Sequence, residues 1–196
     1  MLIFWDQRLV FLATPKAGSS AVEAALESLA AVTMPRPAPL KHMTASAFRT
    51  HLAPYLESVT GTRFTTVALM REPISWLRSW YRFRLRDDFE DPTHPMQGRS
   101  FEAFIHDYMA QTPPAHARLG TQGDYLLGTD GRPAIDQIFR YENIEGFVHF
   151  LEDRLDCAIT LPRVNVPPAV DVALSPSTEV QLRSVLERDF TLYNSL

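Results

Sequence analysis

Val10-Phe-Leu-Ala-Thr-Pro-Lys-Ala-Gly-Ser-Ser20, continuing into the run Ala21 to Ala31, decides how the fold is read. Four apolar residues, Val10 to Ala13, read as a buried strand. A Pro15-Lys16-Ala17-Gly18 turn and two hydroxyl residues follow. The spacing then predicts a helix over Ser20–Ala31 with Val22, Ala25, Leu26 and Leu29 on one face. A strand that ends in a glycine-containing turn and opens a helix suits an anion. The first N–H groups of a helix lack intrahelical acceptors, and its dipole is positive there. Lys16 adds a full charge, and Gly18 lets the backbone approach a phosphate closely. A nucleotide-triphosphatase loop, G-x-x-x-x-G-K-[ST], has its lysine after the last glycine. Here Lys16 precedes Gly18 and the loop is shorter, so the physics is shared and the detail is not. Taken alone, the residues also fit an ordinary strand-to-helix turn.

A second constellation lies downstream. Phe64 to Met70 reads as another buried strand, and Arg71-Glu-Pro-Ile-Ser-Trp-Leu-Arg-Ser-Trp-Tyr81 follows at once. Pro73 suits a first helical turn, where its missing N–H costs nothing. Ile74, Leu77 and Tyr81 then share a face. Arg71 stands at a strand's carboxyl end, where open α/β sheets bind ligands. With Ser79, two turns along, it can hold a second phosphate through its bidentate fork. The alternative for Arg71 is a surface ion pair with Glu72 or Glu142.

Together the two segments resemble the sulfotransferases that use 3′-phosphoadenosine 5′-phosphosulfate. Pro15-Lys-Ala-Gly-Ser-Ser20 is similar to their 5′-phosphosulfate loop. Arg71, Pro73, Ser79 and Tyr81 match their 3′-phosphate motif. Ile138 to Phe147 resembles the family's late strand and following helix start. Leu161-Pro-Arg-Val-Asn-Val166 and the final Leu174–Leu196 helix resemble the closing segment of the carbohydrate-type branch, which includes shorter bacterial members. The resemblance runs from about Phe4 to the C-terminus. It implies a single sulfotransferase domain over residues 1–196, with 3′-phosphoadenosine 5′-phosphosulfate as co-substrate and adenosine 3′,5′-bisphosphate as product. Lys16, Ala17, Gly18, Ser19, Ser20, Arg71 and Ser79 would hold the nucleotide, together with Gln122 from a segment that lies near nucleotide or acceptor in the family. Asn165 follows the pattern of a loop that can close over the nucleotide, but Val166 and Pro167 depart from the Ser or Thr usual there.

Composition is ordinary for a globular protein. The 196 residues are 45% hydrophobic and 21% charged, with 19 basic against 23 acidic side chains. The resulting charge of −4 argues against a nucleic-acid-binding surface. The lone Cys157 excludes an internal disulfide and fits a reducing compartment. No run of apolar residues is long enough to cross a membrane. Asp6 and Arg8 interrupt the apolar N-terminus, so no signal peptide is expected. A cytoplasmic enzyme with no membrane partner is the expectation.

The rest of the chain alternates strands and helices, which predicts an α/β fold: a P-loop-like, mostly parallel sheet with helices on both faces. Thr44 caps a helix to about Leu52, which Pro54 ends or kinks. The second helix runs Pro73–Arg86, and Ser100 caps a third bearing Phe101, Phe104, Ile105 and Tyr108. A short helix near Gln122–Leu127 precedes a strand over Ile135–Tyr141; Asn143 caps a helix to Leu155, and Ser175-Pro176 starts the last one. Asp87–Arg99 and Gln111–Gly123 read as loops, and they are where an acceptor is expected.

Sulfuryl transfer moves –SO₃ in line between two oxygens, so positioning and charge stabilisation do most of the work. Lys16 is the candidate cation beside the leaving phosphate oxygen. A sulfuryl group carries less charge than a terminal phosphoryl group, and neither Asp136 nor Glu142 is placed to hold a metal, so no metal site is expected. The acceptor hydroxyl needs a general base. Of the six histidines, His42 is the candidate; the resemblance places a base, often His, in this second segment. His94 and His116 are alternates, whereas His51, His106 and His149 read as solvated or packed. Lys41 is either an assisting charge or a solvated lysine. Arg82, Arg84 and Arg86 either meet an anionic sugar or form a solvated face paired with Asp87, Asp88 and Glu90. Trp76 and Trp80 read as packing residues. The acceptor is a hydroxyl, with carbohydrate implied by the branch. Two other classes compete: a P-loop small-molecule kinase, which would need the Gly-Lys order and a magnesium-holding Asp, and a non-catalytic nucleotide-binding relative.

Overall fold

The hairpin at the start of the chain sets the sheet. Leu2–Phe4 (β1) and Leu9–Leu12 (β2) are joined by the four-residue turn 5–8, in which Arg8 takes φ 50°. A link that short can only join antiparallel strands. The computed structural model describes residues 1–85, 96–162 and 170–196. Val32–Thr33 (β3) adds antiparallel to the outer edge of β1. Thr65–Met70 (β4) pairs parallel with β2, and Gln137–Arg140 (β5) pairs parallel with β4. The five-stranded sheet therefore runs β3-β1-β2-β4-β5. It is open and mixed, with two antiparallel and two parallel pairings, rather than the mostly parallel sheet expected. The apolar N-terminus supplies the difference: Leu2–Phe4 forms a strand of its own that pairs antiparallel with β2 on one side and β3 on the other.

Alternation along the strands builds a core on each face. Ile3, Val10, Leu12, Ala68 and Met70 point to one side; Leu2, Phe4, Leu9, Phe11, Val67 and Leu69 point to the other. The second face is covered by Ser19–Leu26 (α1) through Val22 and Leu26, and by a later helix through Phe147 and Leu151. α1 stops at Leu26, earlier than the predicted Ala31, and Leu29 is 51% exposed. The chain leaves the helix there to reach the sheet edge, where Ala31 N donates to the Ile3 carbonyl at 2.9 Å.

The first face is covered from Ala38–Lys41 (α2) onward. Ala45–Ala47 (α3) is capped by Thr44, whose hydroxyl accepts from Ala47 N at 3.1 Å. A π-type turn, Phe48–Leu52, then leads into Ala53–Thr60 (α4). Pro54 therefore widens the helix rather than ending it: its ring sits in the first turn of α4, where no N–H is needed.

Pro73–Arg84 (α5), Phe101–Met109 (α6) and Pro176–Val185 (α9) enclose a third cluster around Ile74, Leu77, Tyr81, Phe101, Phe104, Ile105 and Leu182. Between α6 and α9 come Gly123–Leu126 (α7) and Ile144–Leu155 (α8). Ser100 and Ser175 cap α6 and α9 as the sequence predicts, while the Asn143 side chain makes no cap bond to α8. The final helix is broken at Leu186, and Glu187–Asn194 (α10) follows. Leu182 enters the third cluster, whereas α10 bridges two cores: Phe190 packs on the third cluster and Leu192 enters the sheet core.

Candidate functional site

Two strand-to-helix junctions face one cleft. At the first, β2 runs into buried Ala13, Thr14 and Pro15. Trp76, fully buried, donates its indole N–H to the Pro15 carbonyl at 2.8 Å and pins the loop. Lys16 (φ 60°) and Gly18 (φ 80°) both take the left-handed conformation, which turns the chain into α1. Gly18 is required twice over. A Cβ there would come within 2.8 Å of the Tyr141 ring, and the φ alone strains any other residue. No side chain caps α1 and no acidic residue occupies its first turn, so the positive end of the helix is open.

At the second junction Arg71 follows β4 directly. Gln122, 0% exposed, clamps its backbone: the amide oxygen accepts from Arg71 N at 2.8 Å, and Nε2 donates to the Arg71 carbonyl at 2.7 Å. Asp189, on α10, holds Gln122 in turn through the Gln122 and Gly123 N–H groups. The guanidinium donates from Nε to Ser75 Oγ at 2.9 Å and from an Nη to the Lys16 carbonyl at 3.4 Å, and it lies over the Tyr141 ring at 4.9 Å. Burial lowers its pKa from the ordinary value, but a guanidinium stays charged. The ion pair with Glu72 or Glu142 does not form. Glu72 caps α5, accepting from Ser75 N at 2.6 Å, and Glu142 accepts from Glu72 N at 3.0 Å.

His42 ends α2 on the third side. Its Nδ1 lies 2.7 Å from the Ala13 carbonyl. A carbonyl only accepts, so Nδ1 carries the proton and Nε2 keeps its lone pair. Burial, chiefly, pushes the imidazole pKa below its ordinary value, against the opposing pull of that hydrogen bond. Lys41 is not merely solvated: its ammonium lies 2.6 Å from Glu23, a residue the sequence reading passed over.

The cleft between these elements has a volume of about 1090 Å³. Lys16, Gly18, Ser19, Ser20, His42, Arg71 and Ser79 all line it. Two predicted nucleotide residues do not. Ala17 is 0% exposed and packs beneath the loop, and Gln122 is spent on the Arg71 backbone, so Gln122 positions the strand end instead of reaching into the cleft. The Lys16 ammonium rests 3.9 Å from the centre of the Phe83 ring. His149, expected to be solvated or packed, is on the cleft wall. His116 pairs instead with Asp107 at 2.8 Å, and His51 and His106 are exposed elsewhere. His94, Arg86, Asp87, Asp88, Glu90 and Asn165 with its neighbours lie outside the described residues.

Ser75 and Tyr141 were not singled out by sequence. Ser75 was findable, since it stands one turn before Ser79 and one after Arg71. Tyr141 carried no signal, because only the sheet brings the end of β5 against Gly18. Compared with protein-family models, with curated proteins and with solved structures, the chain shows no match.

Proposed function

We propose that the cleft binds 3′-phosphoadenosine 5′-phosphosulfate and that the chain transfers its sulfuryl group to an acceptor hydroxyl, with carbohydrate the acceptor class implied by the resemblance. One observation carries the reading: residues from two separated motifs, Lys16 to Ser20 and Arg71 with Ser79, line one cleft together with His42. In this reading the P-loop-like turn and the open N-terminus of α1 hold the 5′-phosphate. Arg71 and Ser79 hold the 3′-phosphate. Lys16 stabilises the charge that grows on the leaving oxygen. Its ammonium now rests against the Phe83 and Trp80 rings, and reaching the leaving oxygen means exchanging those ring contacts for the phosphate. His42, with Nε2 unprotonated, takes the acceptor proton.

Isothermal titration tests the reading. Adenosine 3′,5′-bisphosphate is expected to bind without magnesium and more tightly than ATP. Tighter, magnesium-dependent binding of ATP would assign the cleft to a kinase instead.

A further inference from the structure

Arg82 has no part in the nucleotide reading above, yet it lines the same cleft. Among the described residues its Nε is shielded from solvent and meets no hydrogen-bond partner. Among the described residues no carboxylate forms an ion pair with it. A buried donor left without an acceptor is costly, and more so when it is charged.

Its place on α5 suggests what it is for. Ser75, Ser79 and Arg82 stand at i, i+4 and i+7, one stripe along the helix, while Ile74, Leu77 and Tyr81 turn into the core. Helical side chains lean toward the N-terminus, so Arg82 covers the surface above Ser79. Arg71 reaches forward from the other end to Ser75 at 2.9 Å. The two guanidinium groups thus approach the serine stripe from opposite ends, close enough for Arg82 to disfavour the charge on Arg71. An anion of two charges placed between them removes that repulsion and supplies the missing acceptor. A phosphate monoester has that character, with about −1.5 to −2 charges at neutral pH and three acceptor oxygens.

We propose that Arg82 is a second anion-binding residue, and that Arg71, held from behind by Ser75, forms with Ser79 and Arg82 a two-arginine cradle for a terminal phosphate dianion. Naming that phosphate as the 3′-phosphate of a nucleotide rests on the function proposed above. The cradle then sets how strongly the site prefers a 3′-phosphorylated nucleotide over one lacking that group.

The test is calorimetric titration of the wild type, Arg82→Gln and Arg82→Lys with adenosine 3′,5′-bisphosphate, adenosine 5′-phosphate and inorganic phosphate. The wild type should favour the bisphosphate over the 5′-phosphate. Arg82→Gln should cut that preference about tenfold to a hundredfold, the range of a lost charge-assisted hydrogen bond, with affinity for the 5′-phosphate unchanged. Arg82→Lys should recover only part of it, because lysine keeps the charge without the fork. Thermal melting checks that each variant folds, and the Lys variant carries the comparison if the Gln variant does not. An unchanged preference in a folded variant overturns the role of Arg82 while leaving the nucleotide reading intact. If the wild type shows no preference for the bisphosphate, the nucleotide reading fails. Inorganic phosphate then decides the cradle: binding weakened by Arg82→Gln upholds it, and binding indifferent to Arg82 ends it.

Discussion

The two junctions that face the cleft would meet an anion by different means. After β2, the helix begins bare: α1 has no side-chain cap and no acid in its first turn, so backbone N–H groups and the helix dipole face the cleft. After β4, the helix end is already filled, because the Glu72 carboxylate caps α5 through Ser75 N. A carboxylate there repels any second anion at the helix end, so in the proposed reading this junction would recognise charge with side chains, Arg71 at its start and Ser79 two turns along. The difference teaches that one supersecondary unit, strand-turn-helix, presents two kinds of helix end according to a single residue at the cap.

The sharpest way to break the comparison is at His42, whose hydrogen bond to Ala13 ties it to the first junction. His42→Gln should lower turnover by about 10²–10⁴-fold, the usual contribution of a general base, with nucleotide affinity held. Because burial depresses its pKa, the acid limb of the wild-type kcat/KM profile should lie below about 6.5, and it should vanish in the variant. The sign for stability is the same as for a depressed carboxylate: the contribution is present above the unfolded value of about 6.5 and is lost as pH falls through the lower folded value. An acid limb centred above 6.5 would rule His42 out as the base.

Lys16→Ala comes next, with an expected loss of about 10²–10³-fold in kcat, comparable to removing one preorganised oxyanion donor. A rise in KM alone would make Lys16 a ground-state binding residue. Arg71→Ala probes the other junction. It should weaken adenosine 3′,5′-bisphosphate by about 1.5–3 kcal/mol and leave adenosine 5′-phosphosulfate unaffected. Equal losses for both would remove Arg71 from the 3′-phosphate.

Smaller effects sharpen the contrast. Gly18→Ala should cost about 1–2 kcal/mol of stability in urea unfolding from the left-handed backbone alone, with the Tyr141 clash added. Combining it with Tyr141→Ala should remove the clash and keep the backbone term; no recovery in the double variant would show that the ring was not the obstacle. Glu72→Ala should destabilise by about 1 kcal/mol through the lost cap and leave the first junction's ligand affinity untouched.

Local order was legible in the sequence because local rules dictate it. The turn at Pro15–Gly18, the helix opening at Pro73 and the serine caps at Ser100 and Ser175 each depend on a few adjacent residues, and each is found where those residues predict. The residues that gather at the cleft were likewise readable as two motifs, since a strand's carboxyl end is where a helix-opening loop must lie. Pairing was not legible. Whether Leu2–Phe4 folds back on β2 or extends elsewhere depends on which edge is free, and the hairpin turned an expected parallel sheet into a mixed one. The same holds for Gln122, which looks like a ligand residue in sequence but is claimed by the Arg71 backbone 51 residues away. It holds too for Tyr141, which reaches Gly18 and Arg71 only because β4 and β5 lie side by side. Periodicity and turn chemistry act within a few residues and are written in the chain itself. Sheet neighbours and clamps across the fold arise from contacts distant in sequence, and the packing of the folded molecule decides them.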